Sequence, residues 1–159
     1  MSRHKMAVCL NGHCRSDYID IGVSEEKYCE QCGAKEITKC PNCHQYIPGF
    51  TDRQGIVEFG RKHLRVPNYC ANCGAPYPWT SSRIEAAQEL IELSSLSEKE
   101  KSDFSATVPD ILVDTPRTKV ATTKFKIYAA KAGSLVVDGL KDLLVDAASE
   151  AAKKAIWGA

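Results

Sequence analysis

Four short segments of the chain carry sulfur or imidazole at chelating spacing: "CLNGHC" at 9–14, "CEQC" at 29–32, "CPNC" at 40–43 and "CANC" at 70–73. A C-x-x-C turn aims two thiolates at one point, and two such turns complete a tetrahedral site. Four half-sites therefore imply two metal ions, with Zn2+ the natural occupant of thiolate and imidazole donors. In chain order the second site is Cys40, Cys43, Cys70 and Cys73. The first is Cys9, Cys29 and Cys32 with either His13 or Cys14, since C-x-x-x-H and C-x-x-x-x-C both reach a common centre. An interleaved pairing is the alternative, but chain order closes the 14–29 and 43–70 loops independently.

The chemistry such sites support is structural. Catalytic zinc keeps three protein ligands and an open position for water, whereas these sets close at four and are rich in charge-neutralising thiolate. No H-E-x-x-H, deaminase signature or glycine-rich phosphate loop is present. No enzyme is expected.

The elements that must hold these residues are unevenly distributed. All eight cysteines fall within the first 73 of 159 residues. A half-chain of that size rarely builds a sufficient core alone and takes a metal or disulfide as a staple. The start "MSRHKMAVCLNG" has no hydrophobic leader, so a reducing cytoplasm and a metal are expected. No apolar run approaches the ~20 residues of a membrane span. Eight ionised thiolates with two Zn2+ would turn the formal +1 into −3, or −2 with a neutral histidine as one ligand. Bulk charge then gives no pull toward nucleic acid.

Expected boundaries are tandem ribbons at 7–38 and 39–79, joined by "GAKEITK" (33–39), then short helices over 80–114 and one long amphipathic helix over 115–157. Glycine after "CEQC" and "CANC" supplies positive φ as the chain leaves each turn. Pro76 and Pro78 keep "APYPWT" extended, laying Tyr77 and Trp79 over the ribbon core. "SSRIEAAQELIEL" (81–93) carries a capping box, Ser82 with Glu85. Ser97 caps a helix over 96–104, Pro109 breaks it, and Thr115-Pro116 starts the last helix.

That last helix splits into rows. Asp138, Asp142, Asp146 and Glu150 form an acidic row; Leu140, Leu144, Ala148, Ala152 and Ile156 form an apolar one, with Leu143, Ala147, Ala151 and Ala155 beside it. Leu140, Leu143, Leu144, Ala147 and Ala151 are the candidate partner or oligomer interface. Before Gly133 the charge is wholly basic: Arg117, Lys119, Lys124, Lys126 and Lys131, with no acid from 115 to 137. In "GRKHLR" (60–65), Arg61, Lys62 and Arg65 are candidate nucleic-acid contacts, the plainer reading being a solvated loop. His4 falls in a start expected to be mobile, and His44, directly after Cys43, is expected either to hydrogen-bond or to sit exposed.

"CLNGH", the two central knuckles, "YCANCGAPYPWT" (69–80), "DTPRT" (114–118) and "SEAAKKAIW" (149–157) together resemble a family of bacterial double zinc-ribbon proteins of unknown function. In the C-x-x-G-H knuckle of such ribbons the histidine ligates, so the resemblance implies His13 as fourth ligand, with Cys14 the alternative. It implies two metals and no known activity. The fold class expected is a small metal-stabilised β region of two zinc ribbons followed by an α-helical C-terminal segment. The expected function is a non-enzymatic adaptor or scaffold that self-associates or docks a protein partner through its last helix. Nucleic-acid binding, or membrane activity through that helix, is the alternative.

Overall fold

The computed structural model describes residues 3–24, 27–54 and 64–158. The chain forms two compact units, Met1–Ser81 and Ser82–Ala159.

In the first unit, β1 (Arg3–Cys9) and β2 (Cys14–Asp20) form an antiparallel hairpin whose register shifts twice, between Lys5 and Ala7 and between Ala7 and Val8. The opposite edge of β1 is shared. Its start pairs with β4 (Pro48–Thr51) and its end with β3 (Glu36–Ile37), through Val8–Ile37 and Cys9–Glu36. β1 is thus paired on both edges, and it is buried from His4 to Cys9. His4 is therefore ordered rather than mobile. Its ring stacks on Tyr18 with centroids 3.7 Å apart, Nδ1 lies 3.2 Å from the Phe50 carbonyl oxygen, and Nε2 lies 3.2 Å from Asp20. The core beneath joins Met6, Val8 and Ile47 to Cys40, Cys70, Tyr77 and Trp79.

Tyr77 and Trp79 stack at 4.7 Å and are both buried, with the Trp79 indole donating to the Pro67 carbonyl at 2.9 Å. They cover the ribbon core. The extended path does not reach Trp79, however, because α1 (Pro78–Glu92) begins with Pro78 in its first turn, where a missing N–H costs nothing. The Ser82–Glu85 capping box thus lies inside the helix rather than at its start.

The second unit is helical. α2 (Glu98–Ile111) starts at Ser97, whose side chain accepts the Glu100 N–H at 3.2 Å. It does not stop before Pro109. Proline cannot donate to the carbonyl four residues back, that of Ser105, and the Gln88 side chain donates to that oxygen instead, at 3.3 Å. The expected single helix over 115–157 is three helices: α3 (Thr118–Ala132), α4 (Ser134–Leu144) and α5 (Glu150–Trp157). Thr115-Pro116 forms a turn before α3, in which the Thr115 hydroxyl accepts the Arg117 N–H. Gly133, at φ +94 and ψ 150, ends α3, and Ser149 caps α5 by accepting the Ala152 N–H at 3.2 Å.

These breaks decide where the apolar rows go. A straight helix would present them outward, whereas the folded-back helices place Leu140, Leu144, Ala147, Ala148 and Ala152 in one core with Ile91, Phe104, Val108 and Phe125. Phe104 and Phe125 meet edge to face at 5.0 Å, and Trp157 closes on Phe125 at 5.9 Å. The acidic row, Asp138, Asp142, Asp146 and Glu150, stays exposed. Among the described residues no helix is long and apolar enough to cross a membrane.

Candidate metal centres

Three of the four half-sites share one backbone plan. The N–H of the first cysteine bonds the carbonyl five residues on: Cys29 to Ala34, Cys40 to Gln45, Cys70 to Ala75, at 2.8 to 2.9 Å. The N–H four residues on returns to that cysteine's carbonyl, from Gly33, His44 and Gly74. This fifth residue sits in the left-handed region, at φ +74, +62 and +76. Two of the three turns use glycine there, as the steric cost of a Cβ dictates. His44 occupies the same conformation despite its side chain, which points to the turn, rather than the residue, as the determinant. Each turn is flanked by one bridge: Tyr28 to Lys35, Lys39 to Tyr46, Tyr69 to Pro76.

The first half-site is built differently, as the turn of the β1–β2 hairpin. Cys9 ends β1, and its N–H bonds the His13 carbonyl at 3.0 Å while the Gly12 N–H bonds the Cys9 carbonyl at 2.9 Å. Gly12 adopts φ +92 and lies so close to Trp79 that an added Cβ would stand 3.1 Å from Trp79 Cβ. A four-residue hairpin turn puts Cys9 Sγ and an imidazole, rather than two sulfurs, at one point.

The structure brings together Cys9, His13, Cys29 and Cys32 in one cluster and Cys40, Cys43, Cys70 and Cys73 in the other, each set of ligand atoms within 4.8 Å of one another. The pairing is in chain order, not interleaved. In site one, His13 Nδ1 lies 3.4 Å from Cys9 Sγ and 3.6 Å from Cys29 Sγ, and Cys9 and Cys32 sulfurs are 3.7 Å apart. In site two, Cys40 and Cys73 sulfurs are 3.8 Å apart, and Cys43 and Cys70 sulfurs 3.6 Å. A tetrahedron with metal–sulfur bonds of ~2.3 Å and a metal–nitrogen bond of ~2.0 Å has edges of roughly 3.8 Å (S–S) and 3.5 Å (S–N). The donor atoms already fit those edges. A disulfide would need sulfurs at ~2.05 Å, and all eight cysteines are free.

Cys14 lies outside the cluster. It opens β2, half-buried against the ribbon core, and burial pushes its thiol up to about 11. Its neighbour Arg15 instead forks onto the buried Glu36 carboxylate, Nε donating at 2.7 and 3.1 Å.

Two carboxamides complete the sites and were not singled out by the sequence reading. Asn11 Nδ2 donates to Cys32 Sγ at 3.3 Å, and Asn42 Nδ2 to Cys73 Sγ at 3.4 Å. Both stand two residues after the first cysteine of their site and reach the last cysteine of the opposite turn. That equal offset, asparagine in both "CLN" and "CPN", is the signal that could have found them. The Ala34 N–H and then the Asn11 carboxamide bring the exposed Cys32 thiol down to about 6. The N–H groups of Cys73 and Asn72 do the same for Cys70, to about 6, while the Asn42 carboxamide leads in lowering Cys73. Burial raises Cys9 and Cys40. Cys32, Cys70 and Cys73, where the N–H donors outweigh burial, are thus prepared to carry charge, as metal thiolates require. Tyr77 is buried beside Cys70, and burial with the cysteine's negative charge raises its hydroxyl above the ordinary range.

The remaining candidates separate. Arg61 and Lys62 lie outside the described residues, and Arg65 is exposed on the segment leading to Cys70. Of the interface candidates, Leu140, Leu144 and Ala147 are consumed by the second unit's own core and Leu143 packs against it, leaving Ala151 exposed. Three of the five side chains are thus buried.

The chain belongs to a bacterial family described as an uncharacterized protein conserved in bacteria, DUF2321, which matches residues 2–156. No curated protein and no solved structure matches it.

Proposed function

We propose that this member of the family is a non-enzymatic, zinc-stabilised adaptor whose helical unit binds a second copy of the chain through charge. The two sites would hold Zn2+ structurally, because four donors converge on each centre and three or four of them are thiolates, leaving no position for a reacting water. Their protein surroundings supply N–H donors to sulfur.

The observation that carries the docking half is the separation of charge within the second unit. α3 exposes Lys119, Lys124 and Lys126 beside Val120 and Ile127, and among the described residues these three lysines have no ion-pair partner. α1 and α2 form a groove of about 580 Å³ lined by Glu85, Glu89, Glu92 and Glu98. A cationic helix face with two apolar side chains suits an acidic groove, and this chain carries both. Because the two surfaces differ, the contact is head-to-tail and closes into a ring or continues as a chain. The contact belongs to α3, not to the buried rows of α4 and α5.

Sedimentation velocity of the metal-loaded protein tests it. Association at low ionic strength that weakens as salt is raised to ~0.5 M is expected, since exposed charges are screened over about a Debye length. Lys119→Glu with Lys126→Glu should give a monomer, as should Glu89→Lys with Glu92→Lys, and an equal mixture of the two variants should associate again. A monomer throughout, or association unmoved by either reversal, overturns the docking reading. Association abolished by nuclease would instead favour nucleic acid as the ligand of the α3 lysines.

A further inference from the structure

The strand between the two metal centres does more than link them. Lys35, Glu36, Ile37, Thr38 and Lys39 form one wall of a cavity of about 400 Å³, closed by Lys5 on β1, by residues 21–24 after β2, and by Tyr46. Three lysines line one small space. Lys5 is the unusual one, because it is 4% exposed. A buried ammonium normally has a carboxylate partner, since an uncompensated charge is costly to desolvate. Among the described residues Lys5 Nζ instead donates to the carbonyls of Val23 and Ile21, at 2.5 and 3.4 Å, which supply dipoles but no negative charge.

The cavity's one described carboxylate is already committed. Glu36 takes both of its oxygens to Arg15. Meanwhile Lys5 Nζ and Lys39 Nζ each stand 5.1 Å from the centroid of the Tyr46 ring. Two cations drawn to one ring repel each other, and cation–π attraction offsets only part of that. Lys35, exposed, is the third lysine of the lining. The ring itself is partly exposed and offers an apolar edge to whatever enters.

We propose that this cavity is a binding site for a small phosphate-class oxyanion, held by Lys5, Lys35 and Lys39 against Tyr46. A multiply charged anion would neutralise the buried Lys5 and relieve the repulsion between Lys5 and Lys39 at once. Lysine suits such a ligand as a mobile point charge where no planar fork is needed. The proposal is independent of the docking reading above, because it concerns only the first unit.

The test is a titration of the 15N-labelled, metal-loaded full chain with inorganic phosphate, matched in ionic strength by sodium chloride. Saturable shifts of the Gly22, Ser24 and Lys39 amides with phosphate but not chloride are expected. Lys39→Gln, which alters an exposed side chain, should weaken that binding about fivefold or more. Lys5→Met, which keeps the stem's length and apolar character, should abolish it. If Lys5→Met does not fold, Lys35→Gln with Lys39→Gln carries the same expectation. Shifts that do not saturate, that chloride reproduces, or that persist unchanged in Lys39→Gln would overturn the proposal.

Discussion

The carboxamide of Asn42 reaches across site two to donate to Cys73 Sγ at 3.4 Å, as Asn11 does to Cys32 across site one at 3.3 Å. Each asparagine ties the first turn of its site to the last sulfur of the second. The bond therefore holds the two turns together before a metal does, and it places a donor on a sulfur that must be a thiolate to ligate. Removing outer donors of this kind typically lowers metal affinity by about 10–100-fold.

Replacing Asn42 with Ala should leave the fold and the metal count intact but weaken site two, by about tenfold in metal affinity. Competition against a chromophoric chelator reads this directly. Asn11→Ala should act on site one alone. Loss of both metals from either variant would mean that the sites are coupled, contrary to their separate ligand sets.

Gly12 is constrained twice, by φ +92 and by the Trp79 side chain, where a Cβ would stand at 3.1 Å. Gly33 has a similar φ, +74, with nothing within 4 Å of the added Cβ. Gly33→Ala should cost about 1–2 kcal/mol, the price of a left-handed residue with a Cβ. Gly12→Ala should cost more, by about a further 1–3 kcal/mol for overpacking against a buried ring. Thermal melts of the metal-loaded variants separate the two.

Gln88 stands in for the donor that Pro109 lacks. Gln88→Ala leaves the Ser105 carbonyl short of a partner and should destabilise by about 1 kcal/mol. In a Pro109→Ala background, where the backbone supplies its own N–H, the same substitution should cost little. A double-mutant cycle by urea denaturation measures the difference, and equal costs in both backgrounds would show that Gln88 does not compensate for the proline.

These particulars show what could be read from the chain. The three C-x-x-C turns are legible because the geometry is local: cysteine spacing and a following left-handed residue specify both the turn and its ligands. Ser97 as a cap is legible for the same reason. The failures are tertiary. His4 is ordered by Phe50 and Asp20, and nothing in the first residues announces either partner. Pro109 reads as a break because its compensating donor is on another helix. The amphipathic rows after Gly133 are real, with acids outward and Leu140 and Leu144 inward. Periodicity alone does not say whether the apolar side meets another chain or folds back, and the breaks at Gly133, φ +94, and before α5 decide it.

Chelation under reducing conditions should divide the chain. The first unit's core is small and includes Cys40 and Cys70 themselves, whereas the second has its own core of aromatic and aliphatic side chains with no cysteine in it. Removing metal should abolish the near-ultraviolet dichroism of stacked Tyr77 and Trp79. Most of the helical signal at 222 nm should survive, apart from the first turn of α1. Complete loss of helix with the metal would contradict a separate second core.

The central claim is that two complete four-donor centres hold this chain, with His13 rather than Cys14 in the first. Native mass spectrometry of protein purified without chelator addresses it in one series. Two zinc ions per chain are predicted for the unaltered protein and for Cys14→Ser, and one for His13→Ala. Fewer than two metals in the unaltered protein, or a metal lost with Cys14 and kept without His13, would contradict the account.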